Sequence, residues 1–203
     1  MLEAVNLSCA RGERRLFSGL NFSLPAGSAL EAFGKNGSGK TSLLRIICGL
    51  TAPAAGEVCW DGANIRRLGE EYFAQIAYVA HQNGVKDELD PVENLRISCG
   101  VAGNALGKQE AHAVLERVGL SKQKHLPARL LSAGQRRRLA LSRLISSRAR
   151  LWILDEPLAS LDEDGAMLAR NLISEHLSNG GMAIVATHQE MGLSAGQMQR
   201  IEL

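Results

Sequence analysis

The sequence predicts an α/β fold, in which a largely parallel sheet carries helices on both faces and is joined by a small antiparallel layer and a helical insert. Three observations support this class. Short apolar stretches alternate with segments of helical length, a glycine-rich loop follows an early strand, and helical patterns concentrate in the middle of the chain. At 203 residues we expect one domain, residues 1–203, with the insert at about 86–147.

The first part of the chain supplies strands and one helix. The N-terminal strands are expected to form the antiparallel layer, and residues 28–33 (SALEAF) are typical of a short buried strand. Residues 41–48 (TSLLRIIC) have helical length, and Gly49 is placed to end the helix. Residues 56–65 predict a hairpin around an Asp-Gly turn, and residues 75–80 predict a further strand.

The middle of the chain predicts helices with marked N-termini. Asp90, Pro91 and Glu93 occupy the N-cap, first-turn and capping-box positions of one helix. A second helix is expected at roughly 108–118. A third begins at Ser132, which stands in the S-x-x-Q spacing of a capping box.

Strands return after the helical insert. Residues 150–154 and 182–187 are apolar and have the length of buried strands, and a helix is expected between them over about 164–178. A last strand is expected near QRIEL, residues 199–203.

Composition excludes several classes of protein. With 45% hydrophobic and 22% charged residues, the chain is typical of a globular domain, and its net charge of +2 includes no long basic block, so nucleic acid is not expected as a partner. No apolar run approaches the roughly 20 residues that span a bilayer, and no signal-peptide pattern is present. We therefore expect a cytoplasmic chain, peripheral if it acts at a membrane. The cysteines form no metal or disulfide pattern and are expected to be buried and reduced: Cys9, Cys48, Cys59 and Cys99.

The strongest chemical feature is GKNGSGKT, residues 34–41, which fits the P-loop pattern G-x-x-x-x-G-K-[ST] between a predicted strand and a predicted helix. Glycines let backbone N–H groups approach phosphates at a helix N-terminus. Lys40 is placed for the β- and γ-phosphates, Thr41 for Mg²⁺ and Ser42 for the α-phosphate. The residues expected to bind nucleotide in this segment are Gly34, Lys35, Asn36, Gly37, Ser38, Gly39, Lys40, Thr41 and Ser42.

Polar residues follow three other predicted strands. In LWILDEP, residues 151–157, Asp155 is placed to hold Mg²⁺ and Glu156 to act as the general base toward an attacking water. Gln82 and His188 also end apolar stretches, and each is expected to reach the γ-phosphate or the hydrolytic water.

Taken together, these motifs resemble those of the ATP-binding cassette (ABC) ATPases. GKNGSGKT, Gln82, LSAGQ, LWILDEP, the SLD at residues 160–162 and His188 occur in the order and at about the spacing of that family, over essentially the whole chain. The resemblance implies a P-loop NTPase of the ABC type that hydrolyses ATP with Mg²⁺. It also implies that Gln82 contacts Mg²⁺ and moves with a membrane partner, and that His188 holds the γ-phosphate.

The resemblance further implies an ATP-dependent dimer of these domains. Ser132 and Gly134 would contact the ATP held by the other subunit, and Asp162 would lie in the loop that signals across the dimer. A monomer would therefore lack a complete site. The sequence leaves open whether Ser132 instead only caps its own helix. The arginines at 136–138 are expected on a solvated helix face with one or two ion pairs.

The adenine site departs from the family pattern. The family stacks adenine on an aromatic residue upstream of the P-loop, but the corresponding stretch here is CARG, with Arg11 at that place. A guanidinium can stack on a purine, so Arg11 is a candidate and Phe17 is its rival. Ala133 replaces the first glycine of the family's LSGGQ and adds only a methyl group.

Within the family, four segments resemble the ATP-binding subunits of bacterial cytochrome c maturation systems: residues 15–30, residues 77–95, LSAGQRRRLALSRL and ARLWILDEP. That resemblance implies a peripheral subunit on the cytoplasmic face of the inner membrane, partnered by polytopic membrane subunits. ATP hydrolysis would drive haem export or the release of a haem-loaded chaperone. The chain carries no haem-ligand pattern, so direct haem ligation is not expected. The alternative is a subunit of a different ABC exporter.

Overall fold

Strands and helices alternate along the chain as expected for the α/β class, in a computed structural model that describes residues 1–193 and 198–203. The strands are β1 (Leu2–Arg11), β2 (Arg14–Leu24), β3 (Ala29–Phe33), β4 (Ala55–Trp60), β5 (Ala63–Asn64), β6 (Ile76–Val79), β7 (Leu151–Asp155), β8 (Met182–Thr187) and β9 (Met198–Glu202). The helices are α1 (Lys40–Ile47), α2 (Ile65–Leu68), α3 (Glu70–Phe73), α4 (Pro91–Val101), α5 (Lys108–Arg117), α6 (Ala133–Ile145) and α7 (Glu163–Ser178), with a 3-10 turn at Ala128–Leu130.

A five-stranded sheet has the order β6-β7-β8-β3-β9. β3 is parallel to both β8 and β9, and β7 is parallel to β8. Phe33 pairs with Thr187, and Asp155 pairs with Ala186, so the carboxyl ends of β3, β7 and β8 lie at one edge of the sheet. The loops that leave these three strands are therefore neighbours, although they are far apart in sequence.

The predicted antiparallel layer is present as a four-stranded sheet in the order β2-β1-β4-β5. β1 pairs antiparallel with β2 and with β4. The hairpin between β4 and β5 turns at Asp61 and Gly62, whose φ angles of 48° and 83° lie in the left-handed region, as an Asp-Gly turn requires. The predicted fold class is confirmed.

The described chain divides into two compact units. The first consists of Met1–Tyr78, Ala149–Glu156 and Ile173–Leu203 and contains the antiparallel sheet, most of the parallel sheet and α1 to α3. Its core brings together fully buried side chains from four elements: Leu30, Leu44, Ile153 and Ile184. α1, which follows the P-loop, packs on β7 and β8.

The second unit consists of Val79–Arg148 and Pro157–Leu172. Its core is built mainly from α4, α5 and α6, with Leu95, Leu115 and Leu139 among the buried residues. This unit extends beyond the expected insert of about 86–147, because the start of α7 belongs to it and Leu168 packs against the same core.

Two short helices, α2 and α3, were not predicted, since four residues carry no helical periodicity. They place Tyr72 in the core, where its hydroxyl donates to the Ile47 carbonyl at 2.8 Å. Its ring packs edge-on against Trp60, with 5.7 Å between the ring centroids. Burial raises the pKa of Tyr72 above its ordinary value.

The cysteines are reduced, and all but Cys59 are buried. Burial raises the pKa of Cys48 to about 12, as expected for an unreactive thiol. Across residues 1–193 and 198–203, no helix has both the length and the apolar character needed to cross a bilayer.

Candidate active site

The P-loop between β3 and α1 depends on glycine for its conformation and for close packing. Gly37 and Gly39 have φ angles of 81° and 118°, which side chains disfavour. A Cβ on Gly34 would lie 2.6 Å from the Leu203 carbonyl oxygen and 2.7 Å from Ser38 Oγ. The glycine spacing recognised in the sequence thus corresponds to a left-handed backbone at Gly37 and Gly39 and to a lack of space for a side chain at Gly34.

The start of α1 is suited to an anion. The helix begins at Lys40 directly after Gly39, so its first backbone N–H groups face the loop, and its first turn carries no acidic residue. Ser38 Oγ is buried and has no hydrogen-bond partner among the described residues. A phosphate oxygen would satisfy that hydroxyl. Ser42, which is expected at the α-phosphate, lies beside the Cys9 thiol.

The Lys40 ammonium lies inside the loop. The residue is only 5% exposed, and Nζ donates to the carbonyl oxygens of Gly34 at 2.7 Å and Lys35 at 3.3 Å. Nζ also lies 3.5 Å from Glu156 Oε1. The cation is therefore held where the phosphate-binding N–H groups converge.

Thr41 and Asp155 are brought together across 114 positions of sequence. Thr41 Oγ1 donates to Asp155 Oδ2 at 2.8 Å, and Asp155, at the end of β7, is 2% exposed. The described residues contain no group of three or more His, Cys, Asp or Glu able to hold a metal. One hydroxyl and one carboxylate instead fit Mg²⁺, which is commonly bound through one or two protein oxygens and the phosphates of its nucleotide.

Glu156 has a strained backbone, which the sequence did not reveal. Its φ of 50° is unusual for a residue other than glycine, and its N–H donates to the Ala186 carbonyl at 2.8 Å. Oε2 lies 2.9 Å from His188 Nδ1, while Oε1 faces Lys40. The carboxylate is thus fixed between two basic side chains.

The segment carrying His188 is held by its neighbours. Thr187 Oγ1 donates to the Gln189 carbonyl at 2.9 Å and accepts from the Gln189 N–H at 3.0 Å, which forms a tight turn around His188. Further along, the Met191 N–H donates to the buried Glu31 carboxylate at 3.1 Å. These bonds direct the His188 ring toward the end of β7.

Arg11 is exposed at the end of β1, opposite Arg14 in the hairpin. Arg14, which the sequence analysis did not single out, lines a cavity of about 460 Å³ together with residues 34–38 of the P-loop. The rival candidate, Phe17, packs against Gly39, since a Cβ on that glycine would lie 3.3 Å from its ring.

Ser132 forms the predicted capping box at the start of α6. Its Oγ accepts from the Gln135 N–H at 3.2 Å, and its own N–H donates to Gln135 Oε1 at 2.9 Å. Ser132 is nevertheless exposed. The cap therefore fixes the conformation of an exposed helix start.

The SLD segment packs against the same helix within the second unit. A Cβ on Gly134 would lie 2.8 Å from the carbonyl oxygen of Ser160, whose φ is 63°. Asp162 Oδ1 accepts from Arg138 at 2.5 Å and from the Gly165 N–H at 3.0 Å. The Arg138 hydrogen bond, followed by that from Gly165, holds the pKa of Asp162 below its ordinary value.

The expectation for the three arginines is partly wrong. Arg136 pairs with Asp87 at 2.5 Å, and Arg138 pairs with Asp162, so the two ion pairs are present. Arg137, however, is 2% exposed. It turns inward because backbone and amide oxygens inside the second unit accept its donors.

The predicted site residues fall into two sets. The P-loop, Asp155, Glu156 and His188 come together in the first unit, at the carboxyl edge of the parallel sheet. Arg11 also belongs to the first unit, whereas the other candidates, which follow β6 or surround the start of α6, belong to the second: Gln82, Ser132, Gly134 and Asp162.

The fold and this arrangement of loops define an ATP-binding cassette. The sequence matches the ABC transporter family model over residues 17–159, a range that contains the P-loop, Asp155 and Glu156. The structure is similar to that of an ABC transporter ATP-binding protein from Pyrococcus furiosus, with a TM-score of 0.84 and 25% identity, covering 98% of this chain and 96% of that one.

Sequence relatives carry a more specific description. The chain is 50% identical over 202 residues to the cytochrome c biogenesis ATP-binding export protein CcmA of Nitrosospira multiformis, covering 100% of this chain and 98% of the relative. It is 46% identical to the CcmA protein of Dechloromonas aromatica, covering 100% of both. The chain belongs to the ABC transporter family and, within it, to the CcmA group of ATP-binding proteins. This membership supports ATP binding and hydrolysis at the site described above.

Proposed function

We propose that this chain is the ATP-hydrolysing subunit of an ABC transporter complex for cytochrome c maturation, and that it couples hydrolysis to haem export or to release of a haem-loaded chaperone. The similarity to CcmA proteins over the length of the chain supports a role in cytochrome c maturation. The observation that carries the chemistry is the contact of Thr41 with Asp155 at 2.8 Å, directly beside Glu156 and the P-loop lysine.

ATP binds with its phosphates in the P-loop. The backbone N–H groups of residues 34–39 and the start of α1 surround the β-phosphate, and the free hydroxyl of Ser38 gains an acceptor. Lys40 exchanges its bonds to the Gly34 and Lys35 carbonyls for the β- and γ-phosphate oxygens. Arg11 stacks on adenine in place of the family's aromatic residue.

The residues around the P-loop would hold Mg²⁺ together with the nucleotide. Thr41 Oγ1 and Asp155 supply protein oxygens, and Gln82 is the further ligand that the family resemblance implies. When bound, the ion would supply positive charge that stabilises the transition state of phosphoryl transfer.

Glu156 acts as the general base. A water oxygen attacks the γ-phosphorus, the bond to the β–γ bridging oxygen breaks, and ADP leaves with the bonding electron pair. Glu156 accepts the proton of the water, while His188, 2.9 Å from that carboxylate, turns to the γ-phosphate. The products are ADP and inorganic phosphate.

Two copies of this chain together form two complete ATP sites. Ser132 and Gly134 of one subunit contact the γ-phosphate held by the other, and Asp162 lies in the loop that couples the two sites. Polytopic membrane subunits of the maturation system bind the dimer at the cytoplasmic face of the bacterial inner membrane, where the chain is peripheral. The chain drives the process without ligating haem.

The first test replaces Lys40 by Ala in the native host and stains c-type cytochromes for covalent haem. We expect haem attachment to be lost while apocytochrome levels stay normal, because phosphate binding fails. The wild-type gene, expressed at the same level, serves as the control. Normal cytochromes in the variant would overturn the maturation role and direct attention to whichever other exporter's membrane subunit co-purifies.

A further inference from the structure

The buried guanidinium of Arg137 joins three separate segments of the second unit. Its Nη1 donates to the Ala80 carbonyl at 2.9 Å and to Asn83 Oδ1 at 3.0 Å. Its Nε donates to the Pro157 carbonyl at 3.3 Å. Ala80 and Asn83 lie on either side of Gln82 in the chain, and Pro157 directly follows Glu156.

Asn83 is held twice from the same helix. Its side-chain oxygen accepts from Arg137, and its backbone carbonyl accepts from Arg143 Nη2 at 2.9 Å. Both arginines lie on α6, whose N-cap is Ser132. The segment that carries Gln82 is therefore fastened to α6 at its start and at its end.

Burial makes these bonds necessary. An arginine that is 2% exposed has lost its hydration, and the carbonyl and amide oxygens must replace it. The rigid, planar guanidinium can donate hydrogen bonds in several directions at once, whereas a lysine ammonium is a compact charge at the end of a flexible side chain. A replacement that keeps only the charge would not keep the three connections.

We propose that Arg137 is a positioning residue that links the Gln82 segment to the start of α6 and to the turn after Glu156. This inference rests on the proposed roles of Gln82, Ser132 and Glu156. When a membrane partner displaces residues 80–83, the guanidinium transmits the displacement to α6 and to the Pro157 carbonyl. Movement of the partner then shifts the start of α6, at Ser132, together with the turn that follows Glu156.

Hydrogen exchange in the nucleotide-free protein tests the link directly. We expect Arg137→Gln and Arg137→Lys to accelerate exchange of the backbone amides at residues 81–84 by at least about tenfold, because the anchor of this segment is lost. Arg136→Gln is the matched control, since Arg136 is the neighbouring arginine and its donors reach Asp87 and the Leu131 carbonyl rather than residues 80–83. Unchanged exchange at 81–84 in both Arg137 variants would overturn the proposal.

Kinetics separate positioning from a general loss of folding. We expect kcat for ATP hydrolysis to fall about tenfold or more in Arg137→Lys while KM for ATP changes by less than about threefold, because the P-loop is untouched. Loss of nucleotide binding and activity in proportion to the unfolded fraction would show a structural role alone. Absence of ATPase activity in the wild type would count against the proposed function, while hydrogen exchange would still decide the role of Arg137.

Asn83→Ala provides a second route if the Arg137 variants fold poorly. It removes the Oδ1 acceptor but leaves the Arg143 bond to the backbone. We expect a smaller acceleration at residues 81–84 than in Arg137→Gln, and no further effect when Asn83→Ala is added to Arg137→Gln, since the bond that it removes is already lost. Additive effects of the two changes would contradict the link.

Discussion

Single residues at the carboxyl edge of the sheet hold one another in place before nucleotide binds. Glu156 faces Lys40 and His188, and Thr41 donates to Asp155. The residue types were evident from the sequence, because each motif has its own spacing. Their mutual contacts were not, since the strained φ of Glu156 and the orientation of His188 are set by bonds to β8 and the segment after it.

Replacement of Glu156 by Gln removes the base and keeps the shape of the side chain. We expect ATP binding to persist and hydrolysis to fall by about 10² or more, with accumulation of an ATP-bound dimer. Phosphate release and size-exclusion chromatography with ATP measure the two effects. Turnover at the wild-type rate would remove Glu156 from its proposed role.

Replacement of Thr41 tests the site for Mg²⁺. Thr41→Val deletes the hydroxyl that contacts Asp155, whereas Thr41→Ser retains it. We expect the valine variant to need about tenfold or more Mg²⁺ for half-maximal ATPase activity, with the serine variant close to wild type. An identical Mg²⁺ requirement in all three proteins would argue against coordination by Thr41.

His176 predicts a pH dependence of stability. Its ring stacks on that of Trp152, with 3.9 Å between the ring centroids, and Nε2 lies 3.1 Å from the Met182 carbonyl oxygen. Burial lowers the pKa of His176 below its ordinary value of 6.5, so the unfolded chain binds the proton more readily and stability falls as the pH drops below about 6.5.

The variant His176→Gln keeps a donor but cannot titrate. We expect it to be less stable than wild type by about 1 kcal/mol at pH 7.5, because the aromatic stack is lost. Its free energy of unfolding should decline less than that of wild type between pH 7 and pH 5.5, as urea titrations at both pH values would measure. Parallel declines would show that His176 does not contribute.

Whole elements were predicted wherever a local pattern determines them. The capping boxes fixed the starts of α4 and α6, and the apolar stretches located the strands of the parallel sheet. α2 and α3 escaped prediction because their position depends on the packing of Tyr72 rather than on periodicity. Arg137 was misplaced for a related reason, since its burial depends on acceptors from distant segments.

The start of α6 permits a direct test of whether Ser132 does more than cap its helix. Aspartate is as good an N-cap as serine, so Ser132→Asp preserves the helix. It also places a negative charge where the γ-phosphate of the other subunit is proposed to bind. We expect ATP-dependent dimerisation to be lost while nucleotide binding by the monomer is nearly unchanged. Dimerisation at the wild-type level would favour capping alone.

We expect the active form to be a dimer in which each ATP site combines the P-loop of one subunit with the start of α6 of the other. A chain with Lys40→Ala lacks a working P-loop, and a chain with Ser132→Arg lacks a working helix start, so neither hydrolyses ATP alone. In a mixed dimer one of the two sites is intact. An equal mixture should recover about a quarter of the wild-type rate per chain, because half of the dimers are mixed. No recovery after subunit exchange would contradict a site shared between copies.

The strand order also governs when the active site can assemble during synthesis. β3, which leads into the P-loop, lies between β8 and β9, both of which come from the last part of the chain, residues 182–202. A ribosome-bound chain therefore presents the nucleotide-binding loop long before either of its flanking strands has emerged. Because pairing over such separations is slow, the growing chain must protect an unpaired apolar strand until translation is almost finished. Chains that stop short of β8 would then carry the complete P-loop motif without a sheet to hold it.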